Sequence, residues 1–179
     1  MSLRSNQLHL IGAIGYLLSV LLTMISLILM NSYYVSTAAI IVISICSMLS
    51  TCLVLIYFFY IATISKDTMI KAGGFLAGGG YGVLLLMALF QMMGVIIPTI
   101  SLIGAIAVIA GVVLVAVKFM LLYQRDSVIV ILCIVSFISL FLCFLGLFIG
   151  SIVSGIGDII TGISLGSLLL YFRSHNIFY

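Results

Sequence analysis

The chain has 179 residues, of which 66% are hydrophobic and only 5% charged, with a mean hydropathy of +1.57. A water-soluble domain needs roughly 25% charged residues to cover its surface, so this composition excludes one and leaves lipid as the surrounding solvent. The net charge of +3 comes from scattered bases, too few and too dispersed for the clustered face that nucleic-acid binding requires.

A helix needs about 20 apolar residues to cross the hydrocarbon core of a bilayer, and the chain supplies a series of such runs. The first, about 8–30, follows Arg4 and ends at Asn31-Ser32-Tyr33-Tyr34. It exceeds the roughly 7–15 residues of a secretion signal's apolar core and reads as a retained membrane helix. The second, about 38–64, stops at Ser65-Lys66-Asp67. The third, about 73–97, is closed by Pro98, the sole proline, and the fourth, about 101–122, stops at Gln124-Arg125-Asp126. The remaining block, 128–172, is too long for one crossing at about 1.5 Å per residue. It divides near Gly150-Ser151 or Ser154-Gly155, giving helices of about 128–149 and 152–172. The expected fold is all-α: one integral membrane domain over 1–179, a polytopic bundle of six transmembrane helices.

Lysine and arginine gather in cytoplasmic loops, which tests the count. Six crossings put Arg4, Lys66, Lys71, Arg125 and Arg173 at one face, with Lys118 near that end of the fourth helix. The opposite loops, about 31–37, 97–100 and 150–154, contain no base. Both termini are therefore expected inside, and the setting is a multi-pass protein of the cell membrane. Five crossings would strand Arg173 outside.

Weak internal similarity is visible. Leu10-Ile11-Gly12-Ala13-Ile14 resembles Leu102-Ile103-Gly104-Ala105-Ile106, and Gly82 and Gly166 each open a Gly-x-Leu-Leu-Leu stretch. A three-plus-three inverted repeat of this kind is common in secondary transporters, although a chain built from so few residue types produces such matches by chance.

Glutamate is absent, and Asp158 alone of the three aspartates falls inside an apolar run. Intramembrane acids are costly and mark ion or proton sites, so Asp158 is a candidate ion or proton site with Gln91 a candidate neighbour. If the sixth helix begins near Ser154, Asp158 instead occupies its first turn, where free N–H groups and the helix dipole hold a carboxylate structurally. Lys118 is expected to snorkel toward the headgroups. Gly74, Gly78 and Gly82 share one helix face, and Gly162 and Gly166 another with Gly155 and Ser151; such faces let helices approach closely, within the chain or against a partner.

His9 and His175 are expected at the surface, and no histidine lies deep enough for a haem. Tyr57, Tyr60, Tyr123 and Tyr171 are expected in an interfacial aromatic belt. Cys46, Cys52, Cys133 and Cys143 read as small packing residues. Gly78-Gly79-Gly80 lacks the pattern of a phosphate loop. No catalytic residue, cofactor or metal site is expected. The bilayer is the expected partner, with other membrane subunits or further copies of the chain. These observations favour a non-catalytic accessory or structural subunit of a membrane complex. The alternative is a small channel or secondary transporter with Asp158 as its site.

Overall fold

The computed structural model describes residues 2–30, 36–95 and 97–175. The polar cluster 31–34 and the side chains of Arg4 and Ser151 lie outside the described residues. Among these residues there are six helices: α1 (Ser2–Met30), α2 (Thr37–Ile64), α3 (Thr68–Met92), α4 (Pro98–Leu122), α5 (Ser127–Ile149) and α6 (Ser151–Ser174). Each is long and apolar enough to cross a membrane.

The helix boundaries follow local chemistry more than hydropathy. The third helix begins five residues before the expected Gly73, because Asp67 caps it: its Oδ1 accepts the Met69 and Ile70 N–H groups at 2.9 and 3.2 Å. An N-cap carboxylate satisfies donors that would otherwise lack partners. The helix also ends earlier, at Met92, where Gly94 adopts φ +82 and Val95 N–H donates back to Phe90 O. Pro98 does not close α3; it opens α4, at a position where a missing N–H costs nothing. Asp126 caps α5 as Asp67 caps α3. Gly150, at φ +144, makes the turn between α5 and α6.

Each helix packs on its neighbours in sequence, and α6 returns to α1, so the six form a closed ring. Five seams are extensive; the α4–α5 seam is sparse. The helices run alternately up and down. The end where α1 begins and α6 finishes is called the basal end below, the other the open end.

Glycine builds the seams. A methyl on Gly74 would meet Ala62 and the Phe58 carbonyl of α2, and Gly78 and Gly82 face Phe59 and Leu55 of the same helix. Gly73 and Gly80 face backbone carbonyls of Gly111 and Gly104 in α4. Gly162 and Gly166 receive Val20 and Leu17 of α1. The glycine faces are thus consumed within the chain. They also weigh against a three-plus-three repeat, since Gly82 faces the preceding helix whereas Gly166 faces α1.

A hairpin-wise pattern appears instead at the basal end. The returning helices α2, α4 and α6 each bury a phenylalanine there, Phe58, Phe119 and Phe172. In two hairpins the residue just before it clasps the cap of the outgoing helix. Lys118 Nζ pairs with Asp67 Oδ2 at 2.7 Å, and the Tyr171 hydroxyl donates to Asp126 Oδ2 at 2.8 Å.

The Lys118 ammonium hydrogen-bonded to Asp67, helped by the two backbone N–H groups, holds that carboxyl below its ordinary range. A depressed folded value gives stability that is present above the unfolded carboxylate range and is lost as pH falls through the folded value. Lys118→Met should therefore shrink the acid sensitivity of the melting temperature, because Asp67 then titrates closer to its unfolded behaviour. An unchanged pH profile in detergent melts would show that the pair contributes nothing.

Candidate functional site

The basal half of the ring is filled. Tyr57, Phe58, Ile61, Val112, Val115, Phe119, Leu165, Leu168 and Phe172 belong to one buried cluster. The open half is not. Helices α1 and α2 meet where Ser50 Oγ donates to Gly15 O at 2.7 Å and diverge beyond it, leaving a cleft of about 820 Å³ bounded by α1, α2 and α3. Hydroxyls of Ser19, Thr23, Ser26, Ser44, Ser47 and Thr51 line it, and no charged residue does. Leu84 borders both this cleft and a second of about 590 Å³ between α3 and α4.

Asp158 stands on the inner stripe of α6. Side chains three, four and seven residues apart share a helix face, so Asp158 lines up with Thr161, Leu165 and Phe172, whereas the exposed Ile152, Ile156 and Ile163 point outward. The contacts Gly155–Leu27 and Gly162–Val20 put it level with Thr23, a residue of the cleft. Because α6 begins at Ser151, Asp158 lies roughly 10 Å along the helix. The first-turn reading, in which it merely caps the helix, is thereby corrected: no acid occupies the first turn.

Its side chain is exposed on this open half of the interior, and the Cys143 thiol donates to Oδ1 at 3.3 Å. Among the described residues no lysine or arginine pairs with it; Lys118 is engaged at the other end. Close approach brings the thiol there, since Gly157 packs directly on Cys143. Below the carboxylate, hydroxyls stitch α5 to α6. Thr161 donates to Ser139 at 2.8 Å, and Ser136 and Ser164 share a hydrogen bond at 2.8 Å. Ser139 and Ser164 donate back to the carbonyls of Ser136 and Thr161. Interhelical hydrogen bonds of this kind are worth about 0.6 kcal/mol each in a membrane, so this ladder holds the seam in register and positions Cys143.

Gln91 lines the cleft nearer its mouth. Tyr81, on the same helix, lies roughly 15 Å deeper. Tyr81 in turn meets Tyr16 of α1, hydroxyl to hydroxyl at 3.4 Å. Helices α1 and α3 do not pack on each other, so this pair crosses the ring interior and floors the open half. Phe58 stacks on Tyr81 from below, with centroids 5.8 Å apart.

Tyr16 and Tyr81 carry a signal in the sequence, whereas Cys143 looks like any other small packing residue. Phenols favour the membrane boundary, yet Tyr16 and Tyr81 sit midway along apolar runs. Two surface expectations need correction for the same reason. His9 is 2% exposed, between Tyr57 at 6.0 Å and Phe172 at 5.9 Å between ring centroids, and Tyr57 is itself buried. Both lie on inward stripes, which hydropathy along the chain does not resolve. Among the described residues there is no cluster of three or more His, Cys, Asp or Glu that could hold a metal. The comparisons with known proteins add no name to this geometry: no protein-family model matches the chain, and no curated protein or solved structure is significantly similar to it.

Proposed function

We propose that this protein is a small, non-catalytic membrane transporter or channel for a proton or small monovalent cation, with Asp158 as the binding group. One observation carries the reading. A carboxylate that pairs with no lysine or arginine among the described residues faces the inside of a helix ring, at about the depth of a hydroxyl-lined cleft between α1, α2 and α3. Holding a charge at such depth costs several kcal/mol, which is why intramembrane acids mark ion pathways. One negative charge among neutral hydroxyl and thiol groups matches a singly charged ion and not a divalent one. Of the features behind the accessory-subunit reading, the glycine faces are taken up between the chain's own helices, whereas the short loops and few polar residues fit either reading.

The experiment is flux in reconstituted vesicles, with H⁺, Na⁺ or K⁺ gradients imposed in turn and a dye selective for that ion inside. Accelerated dissipation of one gradient over protein-free vesicles is the expected result. Rates equal to empty vesicles for all three ions would overturn the reading. We place the basal end in the cytoplasm of a cell membrane, because Lys66, Lys71, Arg125 and Arg173 lie there. Single cysteines introduced at Lys66 and Arg125, in a background lacking the native cysteines, should react with an impermeant thiol reagent only after the cells are opened. Reaction at either position in intact cells would reverse the orientation.

A further inference from the structure

We propose that the cleft between α1, α2 and α3 is a binding site for an uncharged lipid with a hydroxylated head, of the monoacylglycerol kind. This goes beyond the transport reading and does not depend on it, since Asp158 is not among the residues lining the cleft.

Two facing stripes of hydroxyls build the site. Ser19, Thr23 and Ser26 are spaced by four and three residues along α1, and Ser44, Ser47 and Thr51 by three and four along α2. Such spacing keeps each set on one face of its helix. The two helices are antiparallel and meet where Ser50 donates to Gly15 O. Counting outward from that contact brings Ser19 about level with Ser47, and Thr23 about level with Ser44. The stripes do not bond to each other across the cleft. Among the described residues, Thr51 alone of the six has a hydrogen-bonded hydroxyl, donating to Ser47 O at 2.9 Å.

Hydroxyls elsewhere in the bundle are treated differently. Those of Ser50, Ser136, Ser139, Thr161 and Ser164 all hold partners within the protein. A hydroxyl removed from water without a partner is destabilising. Five of them turned into one space call for an occupant that donates and accepts hydrogen bonds.

The other wall fixes the rest of the occupant. Leu84, Leu85 and Ala88 of α3 are apolar, as are Ile43 and Met48 of α2. Among the described residues neither a charged nor an aromatic side chain lines the cleft. A charged head would therefore enter without a counter-charge, and a sugar would find no ring to stack on. Water or a free polyol would satisfy the hydroxyls but leave the hydrocarbon wall wet. A glycerol head on the hydroxyl stripes, with its acyl chain along the α3 wall, satisfies both. The volume of about 820 Å³ falls within the roughly 300–1,000 Å³ of small-molecule sites. Ile40, Ile41, Gln91 and Met92 line the cleft where α2 begins and α3 ends, and all four are exposed. The mouth thus lies at the open end, near the level of the lipid heads.

The test is equilibrium binding of radiolabelled monoolein to the full-length protein in an amine-oxide detergent, whose head carries no hydroxyl to compete. Saturable binding is expected, displaced by unlabelled monoolein but not by oleate or by glycerol. Affinity should fall roughly tenfold or more in the combined variant Thr23→Val, Ser44→Ala, Ser47→Ala, which removes hydroxyls and nearly keeps the shape. Ala88→Phe leaves every hydroxyl and fills the space, so it should abolish binding. Both variants are compared with wild type at matched helix content and melting, and Ala88→Phe decides alone if the combined variant does not fold. Uptake that never saturates, or that oleate or glycerol displaces as well as monoolein does, would overturn the proposal. Binding that the folded variants leave unchanged would overturn it too.

Discussion

Asp158→Asn is expected to reduce flux to the level of empty vesicles, roughly two orders of magnitude, while leaving the fold intact. The two halves of that expectation come from the same geometry. Asparagine keeps the shape and loses the charge, so it neither takes up a proton nor balances a cation. It also relieves the cost of an unpaired charge in the bundle, so the melting temperature should hold or rise slightly, a change within about 1 kcal/mol. A structural carboxylate behaves oppositely: removing the charge from a cap or ion pair destabilises. A variant that fails to fold, or that transports normally, contradicts the assignment. Cys143→Ser separates the role of the thiol. A hydroxyl at that position donates to Oδ1 as well, so flux should persist, whereas Cys143→Val leaves the carboxylate without its donor and should impair flux without abolishing it.

The largest loss of stability is expected from Gly111→Ala. A methyl at Gly111 would collide with the backbone nitrogen and Cα of Ala77 and with the Gly73 carbonyl. None of these is the end of a flexible side chain, so α3 and α4 must separate along their whole contact. Overpacking typically costs 1–3 kcal/mol, and a backbone obstacle puts this variant at the upper end, about 3 kcal/mol. Gly79→Ala is the control, since nothing lies within 4 Å of the added methyl. Alanine there should be neutral or stabilising by about 0.5–1 kcal/mol. Thermal melts in one detergent check both, and equal melting temperatures would mean that the α3–α4 seam does not set stability.

Much of this architecture is legible in the chain itself, for a physical reason. Lipid demands long apolar helices and gathers charge at their ends, so six crossings can be counted from hydropathy and basic residues. Hydropathy is blind to rotation about the helix axis and to capping. The Asp67 carboxylate, which starts α3 five residues before Gly73, looks like one more loop charge. His9 and Tyr57 look interfacial until the ring turns them inward. Asp158 is visible as the lone acid in a run, but its thiol donor Cys143 comes from α5, a pairing that no local pattern encodes. Gln91, chosen for its polarity, is at the right end of α3 and the wrong depth. Tyr81, further down the same helix, required knowledge of which face points inward.

The sparse seam between α4 and α5 has a mechanical consequence. A closed hoop with one weak joint deforms there first, because every other joint is riveted by interlocked backbones or hydroxyl rungs. Any breathing of the bundle wide enough to admit a water molecule beneath Asp158 concentrates its strain at that joint, with the short Tyr123–Asp126 connection as the pivot.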